Sequence, residues 1–381
     1  MTNPTGPRGL VRSVLIVSNG RGEDAVGAAL AQALAEAAPV AAYPLVGTGD
    51  VYGDVPLLDP RQALPSGGFA LRGGDLAGDL RAGGAKLLAA QRRTLRGQAG
   101  RHAVTVAVGD VFCLWMASRA RTPTVFVATA KSQRTEPHRL LEIWQMRRRA
   151  AVVFTRDRET AEALAGRGVR ARYDGNPLMD CIPPARGALP LAPGAPVVLL
   201  LPGSRSDALY NLTQVLKVAV QINDEVGARF VCALSQTIPV VEAVRRAQAA
   251  GWEAAGEFIE RAETRVLLTR DFGAAVRAAT IVVGLAGTAN EQAAGLGRPV
   301  VAFSLDGAVQ YTPRFLALQK RLLGDALVDA LDWEDAARAA VWLLLNPEEA
   351  ARRGAVGRER MGGGGAVEKI AQEVTRLLPA R

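Results

Sequence analysis

The sequence is poor in the residue types that metal sites, disulfide frameworks and base-stacking surfaces require. Its 381 residues include two histidines and three cysteines, and no two cysteines form a CxxC pair. An odd number of separated cysteines indicates free thiols in a reducing compartment. Aromatic residues make up only 5% of the chain, which argues against recognition of single-stranded nucleic acid by base stacking. We therefore expect no bound metal and no nucleic-acid partner.

Long apolar runs are missing as well. A membrane-spanning helix needs ~20 consecutive apolar residues, and the sequence contains no such run. The apolar segment at 14–17 is too short for the core of a secretory signal. We therefore expect a cytoplasmic protein that is soluble or peripheral on the inner face of the cell membrane. Its formal net charge of +9 favours anionic partners such as nucleotides or acidic lipid surfaces.

Short apolar runs alternate with alanine-rich helical segments along most of the chain, which predicts parallel sheets covered by helices. The alternation pauses at the proline-rich residues 181–196 and then restarts, so this segment is predicted as a linker. The pattern predicts an α/β protein of two Rossmann-like domains whose parallel sheets face each other across a cleft. The first domain is predicted to span 1–180 and the second to span 197–365. The helix at 366–381 is expected to pack back on the first domain.

Two glycine-bearing junctions between a strand and a helix occur in the second domain, at 201–207 and at 284–292. Small residues let backbone N–H groups approach an anion, and a helix N-terminus adds about half a positive charge. Arg205 can neutralise phosphate charge, and Glu291 can accept hydrogen bonds from ribose hydroxyls. The alternatives are a plain tight turn at the first junction and a helix capped by Thr288 at the second. The predicted donor-binding residues are Gly203, Ser204, Arg205, Gly287, Thr288, Ala289, Asn290, Glu291 and Gln292.

The first domain carries polar residues directly after two of its predicted strands. Residues 18–24 follow the first strand and resemble a phosphate-binding loop, but they match neither GxGxxG nor GxxxxGK[ST]. The mismatch disfavours a dinucleotide enzyme or a P-loop NTPase, and Glu23 and Asp24 also fit simple complementation of a helix dipole. Asp110 follows another strand. It is either the base that deprotonates an acceptor hydroxyl or the N-cap of the next helix.

Three further features of the first domain each allow a functional and a structural interpretation. Lys131 is either an acceptor contact or a plain surface lysine, and Asn176 either touches ligand or only shapes a Gly-Asn-Pro turn. The basic helix predicted at 139–149 either lies on an anionic membrane surface or packs with a solvated basic end. Residues 67–84 are predicted as a loop without assigned chemistry. The predicted acceptor-side residues are Asn19, Gly20, Arg21, Gly22, Glu23, Lys131 and Asn176.

Three segments resemble lipid-A-disaccharide synthase: Leu-Pro-Gly-Ser-Arg at 201–205, Gly-Asn-Pro-Leu-Met-Asp at 175–180, and Gly-Thr-Ala-Asn-Glu-Gln-Ala-Ala-Gly-Leu-Gly at 287–297. The segments at 18–24 and 360–366 are similar to a subgroup described as lipid-A-disaccharide-synthase-related proteins. The resemblance implies a GT-B fold and an inverting transfer of a sugar from UDP, often UDP-GlcNAc. It assigns the donor phosphates to Ser204, Arg205, Gly287, Thr288 and Glu291, and the base to Asp110.

The sequence therefore predicts metal-independent glycosyl transfer from a UDP-sugar, a substrate rather than a cofactor, to a lipid-linked or other anionic acceptor. A UDP-sugar 2-epimerase is the enzyme alternative on the same fold, although two histidines leave few acid/base groups for it. A non-catalytic nucleotide-sugar-binding protein is the alternative from another class. The acceptor, the sugar and the oligomeric state stay open.

Overall fold

The structure is a computed structural model that describes residues 12–62 and 83–380, except for the side chain of Arg21. Most of the predicted loop at 67–84 lies outside these residues. The chain forms two compact units: unit 1 comprises Met1–Cys181 and Gly364–Arg381, and unit 2 comprises Ile182–Gly363. The chain therefore leaves unit 1, completes unit 2, and returns to unit 1.

Unit 1 is built on a six-stranded parallel sheet in the order β2-β1-β3-β4-β5-β6. The strands are β1 (Val14–Ser18), β2 (Val40–Pro44), β3 (Val104–Gly109), β4 (Thr124–Ala128), β5 (Val152–Thr155) and β6 (Ala171–Arg172). The helices before the exit to unit 2 are α1 (Arg21–Leu34), α2 (Gly84–Gly97), α3 (Val111–Ala117), α4 (Leu140–Arg149), α5 (Arg158–Ala165) and α6 (Pro177–Asp180).

Alternate residues of the central strands supply the two hydrophobic cores of unit 1. Val14 and Ile16 of β1 point into one core, and Leu15 and Val17 point into the other. Side chains alternate between the two faces of a strand, and both faces of this sheet are covered by helices. This arrangement explains why β1 reads as a continuous apolar run rather than as an alternating one.

Helix α14 (Ala366–Leu377) brings the chain back to unit 1 after unit 2 is complete. Its apolar face packs in the same core as α1, with Val367, Ile370 and Val374 buried. Burial of each such side chain contributes about 1.5–3 kcal/mol. The Asp180 carboxylate accepts hydrogen bonds from the backbone N–H groups of Gly365 and Val367, so the end of α6 fixes the start of α14.

Unit 2 contains an eight-stranded sheet in the order β14-β13-β12-β7-β8-β11-β10-β9, in which β9 and β10 are antiparallel to their neighbours. The strands are β7 (Val197–Leu201), β8 (Arg229–Ala233), β9 (Glu253–Ala255), β10 (Phe258–Arg261), β11 (Thr264–Thr269), β12 (Ile281–Gly284), β13 (Val300–Phe303) and β14 (Leu327–Ala330). The helices are α7 (Ala208–Glu225), α8 (Val240–Gln248), α9 (Phe272–Ala278), α10 (Thr288–Gly295), α11 (Pro313–Leu323), α12 (Trp333–Leu345) and α13 (Pro347–Met361).

The proline-rich segment predicted as a linker is fastened to unit 2. A guanidinium nitrogen of Arg277 donates to the Pro183 carbonyl at 2.7 Å, and the backbone N–H of Arg186 donates to the Asp271 carboxylate at 2.7 Å. No helix in the described part of the chain is long and apolar enough to cross a membrane.

Candidate functional site

The two glycine-bearing junctions of unit 2 meet at the point where the strand order reverses. Strand β7 lies between β8 and β12, and Leu201, its last residue, pairs with Gly284, the last residue of β12. In open α/β sheets, ligands bind outside the carboxyl ends of the strands at such a switch point. Gly203 has φ +90°, and a Cβ there would lie 2.7 Å from the Leu285 carbonyl oxygen. Glycine at 203 is therefore what lets the two loops come this close.

A polar network that includes Arg205 surrounds the first loop. The Arg205 Nε donates to the Gln310 side-chain oxygen at 3.0 Å, so the guanidinium is held at the loop. The Asp207 carboxylate accepts from the backbone N–H of Val309 at 2.9 Å, which fastens residues 309–310 to the start of α7. Gln310 was not predicted from sequence, because it lies 105 positions from Arg205 in an irregular segment.

The second loop leads into α10 without a side-chain cap. Gly287 occupies the N-cap position and no side chain there accepts from the first turn, so the alternative in which Thr288 caps the helix is wrong. Thr288 is the first residue of the helix and is exposed, and Ala289 is partly exposed. This N-terminus therefore carries its partial positive charge at the carboxyl edge of the sheet, beside the Arg205 loop.

The next residues of α10 face the interior of unit 2. The Asn290 side chain is fully buried and donates to the Gly284 carbonyl at 3.0 Å and to the Tyr311 hydroxyl at 2.6 Å. Glu291 is 7% exposed and accepts from the Gln319 side-chain amide at 3.0 Å. Gln292 is also buried. Asn290 and Glu291 therefore anchor α10 inside unit 2, whereas Gly203, Ser204, Arg205 and Gly287 are partly exposed and Thr288 is exposed.

Unit 1 has its own switch point between β1 and β3, and polar residues gather there. Asn19 follows β1 and donates its amide N–H to the Asp110 Oδ1 at 2.8 Å. The same Oδ1 accepts from the Cys113 backbone N–H at 3.0 Å, so Asp110 is the N-cap of α3. Of the two interpretations of Asp110, the structural one is therefore realised.

Glu23 lies in the first turn of α1 at this same switch point. Thr129, which follows β4, donates its hydroxyl to the Glu23 Oε1 at 3.4 Å. Burial, with a smaller contribution from the negative charge of Asp110, raises the pKa of Glu23 from 4.5 to about 6, although a hydrogen bond from its own backbone N–H, the Thr129 hydroxyl and the Arg156 charge oppose the rise. Sequence alone identified Glu23 as a site residue but gave no sign of this perturbed pKa, which depends on residues more than 80 positions away.

A buried chain of hydroxyl groups anchors the start of α1. The Tyr52 hydroxyl donates to the Ser18 Oγ at 2.7 Å, and Ser18 donates to the Asp24 carboxylate at 2.6 Å. Burial raises the pKa of Tyr52, so this hydroxyl keeps its proton. The Asp24 carboxylate is thus buried and bonded to Ser18, whereas Glu23, the other acidic residue of this turn, lies beside Thr129. Gly20 and Gly22 form the surrounding backbone, and the side chain of Arg21 lies outside the described part.

Two other predicted acceptor-side residues have structural partners. Lys131 is 7% exposed and forms ion pairs with Glu136 at 2.8 Å and Glu142 at 3.0 Å, so the alternative of a plain surface lysine is wrong. The Asn176 side chain is fully buried and caps α6 by accepting from the Leu178 backbone N–H at 3.1 Å. Of the predicted catalytic and acceptor-side residues, the structure places Asn19, Glu23 and Asp110 close together at the switch point of unit 1.

The basic helix α4 exposes an apolar stripe. Ile143 and Met146 are buried, whereas Leu140, Leu141 and Trp144 are 79%, 68% and 48% exposed. These three residues, the exposed stripe, carry large apolar area at a helix whose last turn contains three consecutive arginines. A stripe of this kind, rimmed by basic residues, is typical of an interaction surface.

A group of arginines lies beside the end of α4. The guanidinium carbons of Arg92 and Arg119 lie 4.9 and 4.3 Å from the centroid of the Trp115 ring. Burial and the charges of Arg149, Arg92 and Arg96 lower the pKa of Arg119. We call Arg92, Arg96, Arg119 and Arg149 the arginine cluster. An anion placed there would relieve their mutual repulsion.

Within residues 12–62 and 83–380, no group of three His, Cys, Asp or Glu side chains is placed to hold a metal ion.

No protein-family model matches the chain, and no curated protein is significantly similar to it in sequence. Solved structures do match. A putative UDP-N-acetylglucosamine 2-epimerase from Listeria monocytogenes aligns with TM-score 0.61 at 17% identity, covering 94% of this chain and 95% of that one. MnaA of S. aureus, solved with UDP, aligns with TM-score 0.60 at 12% identity, covering 94% of each chain. The glycotransferase of kitacinnamycin aligns with TM-score 0.56 at 16% identity, covering 96% and 99%. At these identities the likeness shows the fold, and the predicted GT-B class is confirmed.

Proposed function

We propose that this protein is an inverting, metal-independent glycosyltransferase that moves a sugar, of the GlcNAc type, from a UDP-sugar to a hydroxyl group of an acceptor. The observation that carries the proposal is the meeting of two anion-binding loops at the switch point of unit 2. Similar structures include one solved with UDP and one described as a glycotransferase, which supports the choice of donor and reaction.

The donor diphosphate would lie between the loop at 203–205 and the N-terminus of α10. Backbone N–H groups of the exposed first turn and the Arg205 guanidinium supply positive charge without a metal ion. During transfer the diphosphate becomes the leaving group and gains negative charge. Groups already fixed in place, such as Arg205 held by Gln310, stabilise that charge without reorganisation.

The acceptor side of the proposal belongs to unit 1 and includes contact with a membrane. The exposed stripe of α4 would enter the interfacial region of the inner face of the cell membrane, and the arginine cluster would bind phosphate groups of anionic lipids. A lipid-linked acceptor would then reach the protein within the membrane surface. The resemblance to lipid-A-disaccharide synthase motivates this class of acceptor.

A UDP-sugar 2-epimerase is the second candidate. The neighbouring carboxylates of Glu23 and Asp110, whose charges interact at the switch point of unit 1, favour it because an epimerase needs acid/base groups around one bound sugar. Incubation with UDP-GlcNAc and no acceptor distinguishes the candidates. Conversion into a second UDP-sugar supports the epimerase, whereas release of UDP that depends on the addition of a hydroxyl acceptor supports the transferase.

Donor binding is tested by thermal unfolding in the presence of UDP, UDP-GlcNAc, UDP-glucose, GDP or NAD. A ligand that binds only the folded state raises stability by RT ln(1 + [L]/Kd). We expect the uridine nucleotides to raise Tm, and we expect Arg205→Ala to reduce that rise. The exposed Arg246→Ala, on α8 of the same unit, is the matched control. The absence of any rise with uridine nucleotides would remove the proposed donor.

Membrane contact is tested by co-sedimentation with phosphatidylglycerol vesicles and with phosphatidylcholine vesicles. We expect binding to the anionic vesicles only, and weaker binding of Leu141→Ser. Val241→Ser is the control, because Val241 has a similar exposed fraction, 63% against 68%, on unit 2. Equal sedimentation of the two variants would show that the exposed stripe does not contact lipid.

A further inference from the structure

We propose that Glu23, rather than Asp110, is the catalytic base that removes the proton from the acceptor hydroxyl; this inference rests on the proposed transfer reaction. Both residues lie at the switch point of unit 1, but the structure gives them different partners. Those partners decide which carboxylate is available to take up a proton.

Asp110 is engaged in holding the backbone. Its Oδ1 accepts hydrogen bonds from the Cys113 backbone N–H and from the Asn19 amide, at 3.0 and 2.8 Å. A carboxylate accepts such bonds most strongly when it is ionised. Protonation during each catalytic cycle would therefore weaken the cap of α3 and the link to the loop after β1. This placement makes Asp110 a positioning residue.

Glu23 lies beside Asp110 at the same edge of the sheet, is partly exposed, and also accepts a hydrogen bond from its own backbone N–H. The Thr129 hydroxyl bonds to its Oε1 at 3.4 Å, which is long for an O–H···O hydrogen bond. A Cβ at Gly20 would lie 2.9 Å from the Glu23 Oε2, and a Cβ at Gly109 would lie 3.6 Å from its Cγ. Glycine at 20 therefore lets the Glu23 carboxylate lie against the loop after β1, where the residue is partly exposed and an acceptor hydroxyl would approach it.

The electrostatic environment suits a base. With its pKa raised to about 6, Glu23 is mostly ionised at pH 7.5 and is still a stronger base than an ordinary carboxylate. A catalytic pKa near the operating pH favours general base catalysis. The Asp110 charge contributes to the rise, so taking up a proton on Glu23 also relieves the repulsion between the two carboxylates.

The step balances without a further reactant. The Glu23 carboxylate takes the proton of the acceptor O–H group while the acceptor oxygen forms a bond to the anomeric carbon. The bond between that carbon and the phosphate oxygen breaks, and the nucleoside diphosphate leaves with the electron pair. Glu23 then returns its proton to solvent.

The test compares Glu23→Gln with Asp110→Asn in the release of UDP from UDP-GlcNAc, with an alkyl glucoside as the hydroxyl acceptor. We expect Glu23→Gln to lower kcat by about 10²–10⁴-fold, the usual contribution of a general base, without changing KM for UDP-GlcNAc. We expect a smaller loss for Asp110→Asn, because an asparagine oxygen still accepts from the Cys113 N–H. Glu23→Asp, which keeps the carboxylate but shortens its reach, should fall between wild type and Glu23→Gln.

The pH profile separates catalysis from a structural effect. In the wild type, kcat/KM should rise with pH around a midpoint near 6, and Asp110→Asn should move that midpoint to lower pH because one negative charge is gone. An Asp110→Asn variant that loses as much activity as Glu23→Gln and shows no such movement would overturn the inference. A wild type whose Tm rises with UDP-GlcNAc but which releases no UDP would overturn the proposed transfer itself, and the assignment of Glu23 with it.

Discussion

Replacing Glu23 by glutamine should stabilise unit 1 at alkaline pH, because ionised Glu23 costs free energy in the folded state. The pKa of this carboxyl is about 6 in the folded protein against an ordinary value of 4.5. At about 1.36 kcal/mol per pH unit, the difference of about 1.5 corresponds to about 2 kcal/mol. Since the folded pKa is the higher one, the cost is absent below pH 4.5, grows as pH rises to about 6, and is fully present above pH 7.

The measurement is urea denaturation of the wild type and Glu23→Gln at pH 8 and at pH 4. We expect the variant to exceed the wild type by about 2 kcal/mol in free energy of unfolding at pH 8, and to match it at pH 4. Glu162→Gln, at an exposed position on α5, is the control and should give equal values at both pH values. A Glu23→Gln variant that is no more stable than the wild type at pH 8 would refute the reasoning, since the cost of ionising Glu23 would then be absent.

Two further predictions concern the stability of the loop at Gly203 and of the start of α14. Gly203→Ala should lower the free energy of unfolding of unit 2 by about 1–3 kcal/mol, because φ at this position is +90° and the new Cβ would meet the Leu285 carbonyl. The measurement is urea denaturation. Gly227→Ala is the control, because no atom lies within 4 Å of a Cβ at that position. Asp180→Ala should destabilise the start of α14 by about 0.5–2 kcal/mol through loss of the cap on Val367, visible as faster hydrogen exchange of the amides of α14, and unchanged exchange would contradict that role.

Much of the fold follows from patterns that are local in the sequence. The strands of the sheet centres, such as β4 and β7, are short apolar runs that the sequence itself marks as strands. Helices α11 and α12 each follow a side chain that caps them, Thr312 or Asp332, which is a local signal of a helix start. The α/β class follows from the alternation itself.

Other elements lack such a local pattern. The hairpin of β9 and β10 is short, and all but one of its residues are at least partly exposed, so no apolar run marks it. Helix α13 buries small residues, Ala350, Gly354 and Gly357, so no stripe of large apolar side chains marks it in the sequence. Gly357 packs against Ala294 of α10, a contact between segments that are distant in the sequence.

The candidate sites are predictable in position but not in detail. A glycine or an acid after a strand identifies the carboxyl edge of a sheet, which is why Gly203 and Asp110 were found. The roles depend on distant partners: the three strands after which Asn19, Asp110 and Thr129 lie become neighbours only in the sheet, and Glu23 acquires its pKa there. The burial of Lys131 likewise depends on its ion pair with Glu142, which lies in the first turn of α4. No local sequence pattern predicts that contact.

The return of the chain to unit 1 through α14 has a consequence for synthesis. The six strands of unit 1 leave the ribosome before any of unit 2, but the helix that covers β1 and α1 follows only after residues 182–363. At about 5–20 residues per second, those residues take roughly 10–40 s to translate. For that time the newly made unit 1 exposes the apolar face that Ile370 will cover, whereas unit 2 can complete its core at once. The half of the molecule that is begun first is therefore the half that is finished last.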